Sequence, residues 1–120
     1  MATVHTDVLD ASLNEIKDNT TILHICSSEP ANYAAVAGVT LGNKTPPSFT
    51  GPVGGDVSGR KIGIDAITDG SVTGTGTATH EALVDGSRLL STKALASSQG
   101  VTSGNVFTLT QHDIEIPDPA

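Results

Sequence analysis

Leu9, Leu13 and Ile16 recur at i, i+4 and i+7 in "DVLDASLNEIKD", with Val8 beside them, and this stretch follows the helical period better than any other. The spacing predicts a short amphipathic helix over residues 7–18, capped by Thr6 or Asp7 and ended near Lys17 and Asn19. "TTILHIC" (20–26), bounded by Ser27, Ser28 and Pro30, predicts a strand. From Arg60 the period falls to two. In "RKIGIDAI", Ile62, Ile64 and Ala66 share one face against Lys61, Gly63 and Asp65. Asp69-Gly70 reads as a turn, "SVTGTGTAT" as a strand of small residues, and "HEALVD" and "SRLLSTKAL" as two strands joined at Asp85-Gly86. "SSQGVTSGN" reads as a loop, and "VFTLTQHDIEI" as a closing strand stopped by "PDPA".

Residues 27–58 follow neither period and hold four of the six prolines. "AAVAGVTLG" within them reads as a short strand or a turn of helix, and the rest as a long Pro/Gly-rich loop or arm. A loop of that length in a compact domain is usually functional. The expected partner contacts are therefore Tyr33, Lys44, Pro46, Pro47 and Phe49 inside it, with the basic pair Arg60-Lys61 just beyond. Removing residues 42–56 is expected to leave the β fold intact. The pattern as a whole predicts one domain, residues 1–120, with its β-rich part at 60–116. Its class is mainly β: an antiparallel sandwich or barrel of five or six strands with one short N-terminal helix. The expected core is Ile22, Ile25, Ile62, Ile64, Leu83, Leu89, Val106 and Leu109, together with Leu9, Leu13 and Ile16.

Composition changes this picture in two respects. With no Trp, one Tyr and two Phe in 120 residues, Ala, Val, Ile and Leu must build the core, so thin packing helped by a partner or by self-association is expected. Thirteen acidic residues against six Lys and Arg give a net charge of −7. With no basic cluster beyond Arg60-Lys61, nucleic acid is not an expected partner. No run approaches the ~18 apolar residues of a membrane helix. The first residues lack a signal-peptide pattern, so synthesis and use in the cytoplasm are expected. Cys26, alone in the apolar run "TILHIC", reads as a small buried residue.

The candidate chemistry is weak. Gly74-Thr75-Gly76-Thr77 resembles the start of a nucleotide loop, but a dinucleotide fingerprint needs a helix after its glycines and Thr79 stands where a third glycine belongs. A strand with small residues on one face and threonines on the other accounts for it better. His5, His24, His80 and His112 have no metal-ligand spacing. His80-Glu81 and His112-Asp113 are sequence neighbours that a strand points to opposite faces. No G-x-S-x-G elbow is present, and Ser103 before Gly104 lacks a strand-to-helix turn. No enzyme activity, cofactor or metal is expected.

The run from "DVSGRKIGIDAITDGSVTGTGTATHEALVDG" to "IEIPDPA", with "VLDASLNEIKDNTTILHICSSEP" and "LGNK" upstream, resembles small proteins encoded among the head genes of tailed bacteriophages. The resemblance covers nearly the whole chain and lies in order and texture, without a catalytic motif. It implies a virion structural protein, most like a head decoration (cement) protein. Such proteins are small and β-rich, often form trimers, and clamp the major capsid protein from outside. The alternatives are a tail or fibre component, or a glycan-binding β-sandwich on the virion.

Overall fold

The computed structural model describes residues 4–56 and 59–117. Val57 and Ser58 of the expected loop, and the last part of "PDPA", lie outside the described residues. The chain is mainly β, with antiparallel sheets that curl into a half-barrel. Helix α1 (Thr6–Asn19) precedes β1 (Ile22–Cys26), α2 (Tyr33–Val39), β2 (Thr40–Lys44), β3 (Phe49–Gly54) and β4 (Arg60–Ile64). Then come β5 (Ile67–Val72), β6 (Gly76–Val84), β7 (Leu89–Val101), β8 (Val106–Leu109) and β9 (His112–Ile116). The larger sheet runs β7-β6-β1-β2-β5-β8 and the smaller β3-β4-β9.

The main core lies on the inner face of the large sheet. Leu23 and Ile25 of β1, Val72 of β5, Leu83 of β6 and Phe107 of β8 meet Ile64 there, with Phe49, Ile114 and Ile16 packed against them. A smaller core on the opposite face joins Ile22, Cys26, Ala82 and Val84 to Val36 and Val39 of α2. Helix α1 packs across β4, β3 and β9 and buries Leu9 and Leu13. Its N-cap is His5, whose Nδ1 accepts from the Asp7 amide at 3.0 Å, in place of the expected Thr6 or Asp7. At its end the Thr20 hydroxyl donates to the Ile16 carbonyl. A half-exposed helix of this length is held by tertiary packing of one face. The Asp85-Gly86 turn forms as expected. Gly86 has φ 102°, and Asp85 accepts from the Ser87 and Arg88 amides. These amides, Ser87's first, and the Arg88 guanidinium push the Asp85 carboxyl down to about 2.

Several expectations need correction. Residues 27–58 are not a long loop: the helix and the strand that "AAVAGVTLG" left as alternatives both occur, as α2 and β2, and β3 follows, so the described residues hold two helices. β2 is central to the large sheet, pairing Gly42 with both Ile25 and Val72, so residues 42–56 are not dispensable to the fold. Asp69-Gly70 is not a turn. Gly70 lies in β5 opposite Phe107, and a β-carbon there would overlap the Phe107 ring, so the glycine serves packing. "SSQG" belongs to β7, and the closing strand splits into β8 and β9 in different sheets. Of the expected core, Val106 is 65% exposed because Phe107 takes the inward position on β8. Ile16, Ile22, Leu89 and Leu109 are only partly buried. Ala66, placed with Ile62 and Ile64, is exposed beyond the end of β4.

Candidate functional site

The large sheet does not close. β7 and β8 are its two edges, and the Thr102–Asn105 turn joins them at one end of the seam. That end is sealed by Val72, which donates to the Asn105 carbonyl and accepts from the Gly104 amide. The Ser103 amide also donates to the Thr75 hydroxyl oxygen. Further along, Gln99 Nε2 reaches the Thr108 carbonyl at 2.8 Å, so a side chain does there what strand pairing does elsewhere. Beyond Gln99 the edges part around a cleft of about 460 Å³. Its walls include Ala94, Leu95 and Ala96 of β7, Leu109 of β8, and Ala66 and Ile67.

The cleft exists because β7 leaves register. Ala78 pairs with Gln99 and His80 with Ala94, so the four residues Leu95–Ser98 stand opposite Thr79 alone. A bulge of this kind bends the strand and leaves backbone groups without partners in the ladder. Small, exposed side chains (Ala94, Ala96, Ser97 and Ser98) let the strand swing out at little cost in buried apolar area.

At one wall Glu81, only 1% exposed, accepts from His112 Nε2 at 2.7 and 2.8 Å. His112 Nδ1 lies 2.8 Å from the Thr110 carbonyl, which can only accept, so this nitrogen carries hydrogen. A proton is therefore shared between Nε2 and the carboxylate. The hydrogen bond to Glu81 raises the imidazole above its ordinary value, with burial working against it. The pair also joins the two sheets, because Glu81 is on β6 and His112 on β9. Lys93, which faces Glu81 in register, sends Nζ to the Asp113 carbonyl at 2.5 Å, a second tie between the sheets. Glu81 is bound by His112, and Lys93 is the lysine of the lining. The whole chain is at −7.

The residues expected to contact a partner lie elsewhere and do not converge. Tyr33, at the start of α2, is 40% exposed, and Pro46 is exposed in the β2–β3 connection. Pro47 is buried, and Phe49 packs against the main core. Lys44 binds Asp69 at 2.8 Å. Arg60 binds Asp10 at 2.8 Å and also donates to the Pro52 carbonyl. Lys61 binds Asp56 at 2.7 Å and Asp113 at 3.0 Å. Both basic residues expected at an acidic partner are thus occupied by carboxylates of their own chain.

The Gly-Thr stretch is not the single strand expected, and it is split between two strands and a turn. β5 ends at Val72, residues 73–75 turn, and β6, not a helix, begins at Gly76. Val72 and Ala78 point inward and the threonines at 73, 75 and 77 are exposed. The other histidines stand apart, His24 against Thr40 and His80 against Thr79. No group of three or more metal-ligating side chains occurs among the described residues. Burial pushes the Cys26 thiol up to about 11, which suits an inert core residue.

Inspection of sequence neighbours missed the Glu81–His112 pair, which joins strands 31 positions apart. One signal was present: Glu81 shares parity with Leu83 in an apolar strand, where an inward carboxylate must find a partner. No family model, no curated protein and no solved structure matches this chain.

Proposed function

We propose that this chain is a structural protein of a tailed-phage virion, made in the host cytoplasm and bound to the outer surface of the head. There it stabilises the capsid by binding the major capsid protein and neighbouring copies of itself. The resemblance of nearly the whole sequence to head-gene products supplies the setting. The structural observation that supports an assembly role is the unclosed large sheet. Its two edge strands flank an accessible cleft, and edges that natural proteins usually cover are places where another chain adds. The elongated shape, 48 × 26 × 23 Å, offers a large surface for its 120 residues. The net charge of −7 suits a position away from packaged DNA.

The experiment is reconstitution. Purified protein is added to expanded capsids that lack it, occupancy is read by electron microscopy, and particle survival is followed under heat and chelation. Saturable decoration of heads with increased survival supports the proposal. Failure to bind heads, or gold-labelled antibody found on tails alone, overturns it.

A further inference from the structure

We infer that the cleft between β7 and β8 is a peptide-anchor site, taking a short extended segment of a partner chain that carries a carboxylate between apolar side chains. This inference rests on the assembly reading above and names the contact through which it would act. Three features of the cleft fix the occupant. Leu95–Ser98 are out of register with β6, and β8 has no neighbour on its outer side, so a strand-like segment meets backbone donors and acceptors from both walls. Ala66, Ala94, Ala96, Leu95 and Leu109 give those walls an apolar surface at a volume typical of ligand pockets. Lys93 supplies a cation with donors left over after its one bond to Asp113, whereas Glu81 is already bound by His112. An exposed ammonium on the wall of the cleft favours a carboxylate and disfavours a basic segment.

Gln99 and the His112–Glu81 pair bound the cleft along the seam, so the anchor is a few residues and not a full strand. Ala96 makes a blocking site: it is exposed within the bulge and lines the cleft, so Ala96→Phe puts a large ring where the anchor would lie.

The test uses the full chain and a displayed library of random heptapeptides, panned in parallel on wild-type and Ala96→Phe protein, with folding of both checked by thermal melts. Wild-type protein should enrich peptides with an acidic residue flanked by apolar ones, and Ala96→Phe should not. The best synthetic peptide should weaken about tenfold when its carboxylate becomes the amide, and about as much against Lys93→Met. Its binding should shift amide resonances of Ala94–Gln99 and Thr108–Thr110. Equal enrichment on both proteins, or a consensus without acidic residues, overturns the inference. So does full-occupancy decoration of capsids by Ala96→Phe, an outcome that leaves the proposed function standing. If wild-type protein selects such peptides yet does not bind capsids, the anchor site stands and the virion assignment fails.

Discussion

At β3, Gly51 and Pro52 interrupt pairing with β4, and the carbonyls they free are taken up at once. Lys17 of α1 donates to Gly51 and Arg60 donates to Pro52, while Arg60 also grips Asp10. At β7 the comparable interruption, Leu95–Ser98, is answered by one bridging side chain, Gln99, and a cleft. The small sheet is locked under a helix by charged side chains whose partners lie within the chain. The seam of the large sheet, lined by Ala, Leu, Ser and Thr with Lys93 and the Glu81–His112 pair at its wall, stays open. A chain that satisfies one broken ladder so fully could have satisfied the other by the same means. The contrast puts ion pairs and capped carbonyls on the α1 side and an accessible cleft at the seam.

The largest effect should come from the core that holds the seam's wall in place. Phe107→Ala is expected to cost about 3–5 kcal/mol in urea unfolding, as for other large-to-small core changes. Gly70→Ala should approach it, since the new β-carbon meets the Phe107 ring. Similar stability for wild type and Gly70→Ala would show that the ring does not seat against β5 as described.

His112→Leu follows, at about 3 kcal/mol, because it leaves the buried Glu81 carboxylate without its partner. The double change Glu81→Leu with His112→Leu should recover much of that loss. A double variant no better than the single would refute the pair as its source. The pair also has a pH signature. The folded imidazole is raised above 6.5, so its contribution is complete below about 6.5 and is lost as pH rises through the folded value. Lys93 opposes the shift and Glu81 drives it. His24 acts in the other sense: burial lowers it, so stability falls as pH drops below 6.5 toward its folded value. Urea midpoints between pH 5 and 9 should therefore trace a dome, and the Glu81→Leu with His112→Leu double variant, which removes both partners, should flatten its alkaline side alone.

On the locked side, Arg60→Met should cost about 1 kcal/mol, near the upper end for partly exposed ion pairs, and Asp10→Asn about the same. The double variant should cost little more than either single one, and additive losses would mean that the two side chains act independently. The smallest effect belongs to the seam. Ala96→Phe should stay within about 0.5 kcal/mol of wild type, as surface changes usually do. A large loss there would mean that the bulge is part of the core and not a free wall.

Local pattern alone determined α1, β1, the Asp85-Gly86 hairpin and the antiparallel β class. Each depends on residues close in sequence: the 3.6-residue spacing of Leu9, Leu13 and Ile16, the alternation at Ile62 and Ile64, and a glycine that can take φ 102°. Tertiary structure alone decided the rest. Gly70 reads as a turn until Phe107, 37 positions away, needs the space above it. "AAVAGVTLG" reads as either a short strand or a turn of helix because its helix is two turns long and its strand sits between β1 and β5, where pairing on both sides outweighs weak propensity. The Glu81–His112 pair, the occupied charges of Arg60 and Lys61, and the cleft at the seam all arise from contacts between distant strands. Sequence spacing encodes the faces of single elements, whereas the choice of which edge is covered and which stays open depends on how those elements meet.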